Sequence, residues 1–169
     1  MSFAKSAIRF LLCVGLMGSS IAGESWAVRE DGVGPVKIGM TLSQLNAILR
    51  EKFSLPSDKE EQRCFFVSPS KHPPISFMIE SGRLLRIDVD QTGVPTSEGI
   101  QVGDSEAHAR QVYGPRMKVT PHFYTDTGHY LTVRSEDRRY GVRFETDQGK
   151  ITMFYSGTYE AIQYVEGCE

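Results

Sequence analysis

Val36-Lys37-Ile38-Gly39-Met40-Thr41 and, 64 residues further on, Ile100-Gln101-Val102-Gly103-Asp104-Ser105 read as the same event met twice: a short apolar strand, a glycine, and a hydroxyl that opens a helix. Leu45, Ile48 and Leu49 then fall opposite Ala109, Val112 and Tyr113. That is the i, i+3, i+4 spacing of one apolar helix face. Thr41 with Gln44 three residues on is a capping box, and Ser105 stands in the matching N-cap place beside Asp104. The second helix is expected to stop at Gly114-Pro115, and the first to run towards Phe53 and give way at Leu55-Pro56.

Working outward, each helix is followed by strand-like runs. The first half supplies 63–67, 75–80 and 84–90, with Ser81-Gly82 turning the last two into a hairpin. The second half supplies 117–120, 129–134, 140–145, 151–155 and 161–165, with turns at Ser135-Glu136-Asp137 and Asp147-Gln148-Gly149. Phe77 to Arg83 and Phe144 to Lys150 read as the same hairpin with different turns. A period of 64 is too long for a solenoid, whose repeats run to roughly 20–50 residues. The expected fold class is therefore α+β, two tandem helix-plus-antiparallel-sheet units with the helices on one face of the sheet. The expected boundaries are 28–92 for the first unit, a linker at 93–98 and 99–169 for the second.

Residues 1–27 have the order of a secretory signal peptide: basic Lys5 and Arg9, an apolar run from Phe10 to Met17, and small residues up to Ser25-Trp26-Ala27. The mature chain is expected to start at Val28, in the periplasm or outside the cell. A membrane anchor needs about 18 apolar residues in a row, and Ser19, Ser20 and Glu24 interrupt this stretch. Leu11-Leu12 before Cys13 argues against lipidation there. Cys64 and Cys168 remain, an even count that in an exported chain favours a disulfide, and neither has a partner at zinc-ligand spacing.

Across 169 residues, 19 Lys+Arg against 21 Asp+Glu give a net charge of −2, with no basic excess to neutralise phosphates. Nucleic acid is thereby an unsuitable partner. No phosphate-binding glycine loop or zinc signature occurs, and no cofactor or metal is expected. Gly103-Asp104-Ser105 has the letters of an esterase nucleophile block, but it repeats a helix start that has no nucleophile and reads as a cap. His122 and His129, with Asp126 between them, match no ligand spacing and read as a hydrogen-bonding loop. His72 and His108 carry less still.

The strand, Gly-x-Thr/Ser, short helix and antiparallel sheet resemble the unit found in tandem in the secreted β-lactamase inhibitor protein, and the single unit of the small outer-membrane assembly lipoproteins. The motif that carries this is Ile38-Gly39-Met40-Thr41 with Val102-Gly103-Asp104-Ser105. The chain also resembles exported bacterial proteins ending in a Gly-Cys tail, here Gly167-Cys168. The inhibitor resemblance implies helices covering one sheet face and a protein received on the other. The lipoprotein resemblance implies a lipid-modified cysteine, for which this sequence has no suitable candidate.

All seven tyrosines lie from Tyr113 onward. Strand alternation puts Leu131, Val133, Val142, Phe144, Ile151 and Met153 on the helix-covered face, and Tyr130, Thr132, Arg134, Arg143, Thr152 and Phe154 on the other. Tyr and Arg are the residues enriched at protein-binding hot spots. Tyr130, Arg134, Arg143 and Phe154 are accordingly the expected contacts with a protein partner. The function expected is that of an exported, non-enzymatic binding module, an inhibitor or immunity protein for a periplasmic or secreted enzyme. The alternatives are an envelope component and a small secreted hydrolase using the His122–His129 loop.

Overall fold

In the computed structural model, which describes residues 26–72 and 74–168, Thr41 and Gln44 form the reciprocal pair that the sequence implies. Thr41 N donates to Gln44 Oε1 at 2.8 Å and Gln44 N to Thr41 Oγ1 at 3.3 Å. They open α1, Leu42–Leu49. Ser105 opens α2, Glu106–Tyr113, by accepting from His108 N at 3.1 Å, and Gly114 ends it. The first helix stops short of Phe53, at a left-handed Arg50. The Asn46 amide accounts for this: it accepts from Phe53 N at 2.7 Å and donates to Phe53 O at 2.8 Å, clamping the chain in a non-helical path.

Three two-residue strands, β1 (Val28–Arg29), β2 (Gly32–Val33) and β3 (Val36–Lys37), make a small antiparallel sheet. The large sheet contains β4 (Cys64–Val67), β5 (Ile75–Glu80), β6 (Arg83–Val89), β7 (Met117–Pro121), β8 (His129–Arg134), β9 (Tyr140–Asp147) and β10 (Lys150–Thr158). Its order is β4-β5-β6-β10-β9-β8-β7, and each of its pairings is antiparallel. The architecture is thus α+β, with two helices and two antiparallel sheets. Because β6 pairs with β10 through Val89 with Phe154 and Asp88 with Tyr155, strands from both halves of the chain run on in one sheet rather than standing as two discrete units.

Each helix start is tied to this sheet by the same pair of bonds. Gly39 N donates to Leu84 O at 2.7 Å and Leu84 N to Met40 O at 2.8 Å; Gly103 N donates to Ile151 O, and Ile151 N to Asp104 O, both at 2.9 Å. Gly39 and Gly103 take φ of 91° and 94°, a region that disfavours a side chain. Leu45 of α1 and Ala109 and Tyr113 of α2 join Phe77, Ile87, Val89, Leu131, Val133, Val142, Phe144, Ile151 and Phe154 in one hydrophobic cluster on that face of the sheet.

The 93–98 stretch is packed rather than free: Val94 and Thr96 are buried, and Pro95 O accepts from Val28 N at 2.8 Å. The expected strand at 161–165 is instead a single 3-10 turn, Ala161–Gln163. The C-terminal stretch after β10 crosses the sheet face opposite the helices and ends at a Cys64–Cys168 disulfide, as the cysteine count implies. Ile162 finds room there because Gly141 has no side chain; a Cβ on Gly141 would lie 2.7 Å from Ile162 Cδ1.

Candidate functional site

The face away from the helices is built from alternate residues of the central strands, and it is polar at its centre. Arg86 on β6 grips Asp88 through Nε and a terminal nitrogen, each at 2.7 Å, and the pair is almost wholly buried. Burial pushes the Asp88 carboxyl up, against the pull of Arg86. The Arg86 guanidinium lies 4.4 Å from the centre of the Tyr155 ring and also donates to Tyr164 O at 3.1 Å. Tyr155 Oη donates to Glu145 Oε1 at 3.0 Å, and burial holds that phenol far above its usual range.

Glu145 connects this centre to the 122–128 loop, since its Oε2 lies 3.1 Å from His122 Nε2. Tyr124 N donates to His122 Nδ1 at 3.1 Å, which leaves Nε2 as the nitrogen facing Glu145. His122 also stacks on Tyr130, with centroids 4.5 Å apart, and the Arg143 guanidinium lies 4.8 Å from the centre of the Tyr130 ring. Both nitrogens of His122 are therefore committed to holding the loop. Beyond this base the tip is bare: Phe123 is 73% exposed and Tyr124 61%, their rings packed edge to face 4.9 Å apart.

The sequence expectation for this face needs correction. Phe154 is fully buried in the helix-side cluster, 5.5 Å from Phe144. A bulge between Ile151 and Met153 on β10 adds one residue, so Met153 and Phe154 exchange faces. Tyr130 and Arg143 do lie on the predicted face, but they are buried rather than open: Arg143 donates to Thr132 Oγ1 at 3.0 Å and to Gln163 of the crossing C-terminal stretch. Arg134 is half-buried, stacked 3.8 Å from the Tyr159 ring. A sheet face carrying this many charges is covered by chain that satisfies them, which strand alternation alone does not reveal.

His129 sits apart from His122, on the helix side. Its Nδ1 is 3.0 Å from Glu106 Oε2, which also accepts from Thr146 Oγ1 at 2.9 Å, while Arg110 binds Glu106 Oε1. The imidazole lines a cleft of about 340 Å³ with Ser105, Arg110, Thr127 and Gly149. Asp126 is exposed and the loop does not gather it with the two histidines. Among the described residues, no group of three or more His, Cys, Asp or Glu side chains could hold a metal ion, and no helix is long and apolar enough to cross a membrane.

Sequence reasoning singled out neither the exposed Phe123–Tyr124 tip nor the buried Arg86–Asp88 pair. The pattern Leu84-x-Arg86-Ile87-Asp88-Val89 does hold a signal, because two opposite charges two apart on a buried strand must share a face and pair.

No family matches this chain, and no curated protein matches it. Among solved structures it is similar to the uncharacterized protein yfeY from Escherichia coli, 14% identical over 78% of this chain and 99% of that one, with a TM-score of 0.46. It is also similar to an extracellular protein containing a SCP domain from Bacillus anthracis str. Ames, 9% identical over 95% of this chain and 52% of that one, with a TM-score of 0.49.

Proposed function

We propose that this chain is an exported, non-enzymatic protein-binding module that works in the periplasm or outside the cell, as an inhibitor or immunity protein for a periplasmic or secreted enzyme. The observation that carries the reading is the Phe123–Tyr124 tip. Two large aromatics stand in solvent while His122, held by Glu145 and Tyr130, fixes the loop beneath them. A preorganised aromatic loop gives up little entropy on binding, the condition under which a few residues carry an interface. Export is supported by the leader pattern and by the disulfide. The same proposal holds that one helix-start unit is repeated in the two halves of the chain, merged into one sheet rather than kept as separate bodies, supported by the repeated bonds at Gly39 and Gly103 and by the motif resemblance to the tandem inhibitor.

The test uses the mature protein as bait in extracts of its host, beside a variant carrying Phe123→Ser and Tyr124→Ser. A partner held by the wild type in a one-to-one complex should be lost by the variant, at about 2 kcal/mol or more per hot-spot ring, with thermal melting unchanged. Equal capture by both proteins would defeat the reading.

A second reading, a small secreted hydrolase, has one observation in its favour: the Glu106 carboxylate orients His129 through Nδ1 and no protein group bonds its Nε2 among the described residues. Turnover of an ester or amide substrate that disappears in His129→Gln but survives in His122→Gln would establish it. An envelope component would instead cofractionate with membrane assemblies.

A further inference from the structure

Trp26, the sole tryptophan, is part of the folded domain. Its indole stacks on His72 with ring centroids 3.4 Å apart and 20° between the planes. It packs against the core, and a Cβ added to Gly34, which sits at φ 49°, would lie 3.3 Å from its ring. With Pro35, Ile48, Leu49 and Pro69 it lines one cleft. Two residues on, Val28 is fully buried, its N–H donating to Pro95 O and its carbonyl accepting from Ser97 N, both at 2.8 Å.

These contacts bear on where the leader is removed. A cut after Ala27 would discard Trp26, leaving His72 and Gly34 without their covering ring. It would also turn Val28 N, whose N–H donates to Pro95 O inside the fold, into a chain-terminal ammonium with no carboxylate bonded to it, and seating a charge there is costly. The sequence offers another small-x-small triplet, Ser20-Ile21-Ala22, which follows the apolar run more closely than Ser25-Trp26-Ala27 does.

We infer that the leader is cleaved between Ala22 and Gly23, and that Trp26 is retained in the mature protein to close the N-terminal end of the core against His72. The inference rests on the export reading. Water adds across the Ala22–Gly23 peptide bond, leaving a carboxylate on Ala22 and an ammonium on Gly23, five positions before Val28 in the sequence.

The full-length chain expressed with its own leader in a Gram-negative host, and recovered from the periplasm, tests it by intact mass. The expected species begins at Gly23 and absorbs as a tryptophan-containing protein. A species beginning at Val28, without tryptophan absorbance, would overturn the inference while leaving export standing. An uncleaved chain would overturn both. Trp26→Ala should lower the Tm of the mature protein by roughly 5 °C or more, Trp26→Phe should recover part of that loss, and unchanged melting in both would remove the structural role assigned to the ring.

Discussion

Glu106 shows how a single side chain can serve three elements at once. It opens α2, yet its carboxylate binds Arg110 one turn on, Thr146 of β9 and His129 of β8. Burial raises its pKa, but the hydrogen bonds from Arg110, Thr146 and His129 outweigh burial and hold it below the ordinary 4.5. A carboxyl depressed in the folded state stabilises the fold above its unfolded value and loses that contribution as pH falls through the folded one. Urea midpoints measured from neutral pH down to about pH 3, a range chosen to span the carboxylate values, should therefore drop for the wild type below the unfolded Glu value. Glu106→Gln should be less stable at neutral pH and show a shallower acid limb. Parallel curves for the two proteins would contradict the assignment.

At the scale of elements, the bulge on β10 decides which residues the core receives. Phe154 fills the cluster beside Phe144, so Phe154→Ala should cost about 3–5 kcal/mol, as for other buried aromatics. Denaturant unfolding measures this, and a loss below about 1 kcal/mol would mean the ring is not packed as described. The helix starts and most strands were legible beforehand because each has a local cause. Thr41 and Ser105 satisfy backbone donors within their own turns, and β5 and β8 begin and end where their apolar alternation does. The bulge was not legible, because nothing in Ile151-Thr152-Met153 distinguishes an inserted residue from strict alternation. The covering of Tyr130 and Arg143 was equally hidden, since it depends on a C-terminal stretch that returns from a distance. His122 is a hydrogen-bonding loop residue, as its sequence setting implies, but its partner Glu145 is 23 positions away, beyond any local pattern.

For the whole molecule, the C-terminal stretch is both cover and clasp. It accepts hydrogen bonds from Arg86 and Arg143 of the charged sheet face through Tyr164 O and the Gln163 amide oxygen, and is fixed by the disulfide to β4, an edge strand. Closing a loop with a separation of 104 residues is worth about 4–5 kcal/mol in the chain-entropy model. A variant carrying Cys64→Ser and Cys168→Ser should fold but unfold at distinctly lower urea, and hydrogen exchange should rise first around Ala161–Gln163. If the wild type instead titrates two free thiols under denaturing, non-reducing conditions, the clasp is absent.

The same clasp sets how the molecule bears tension. Pulled by its two ends, the chain passes the load from Cys64 straight to Cys168 through sulfur, and the large sheet enclosed between them carries almost none of it. Among the described residues, only the stretch from Trp26 to Cys64 can pay out, roughly 130 Å when fully extended. The sheet is thus shielded from stretching by a covalent shunt, while the short strands at Val28–Lys37 and the helix at Leu42–Leu49 act as the part that yields first.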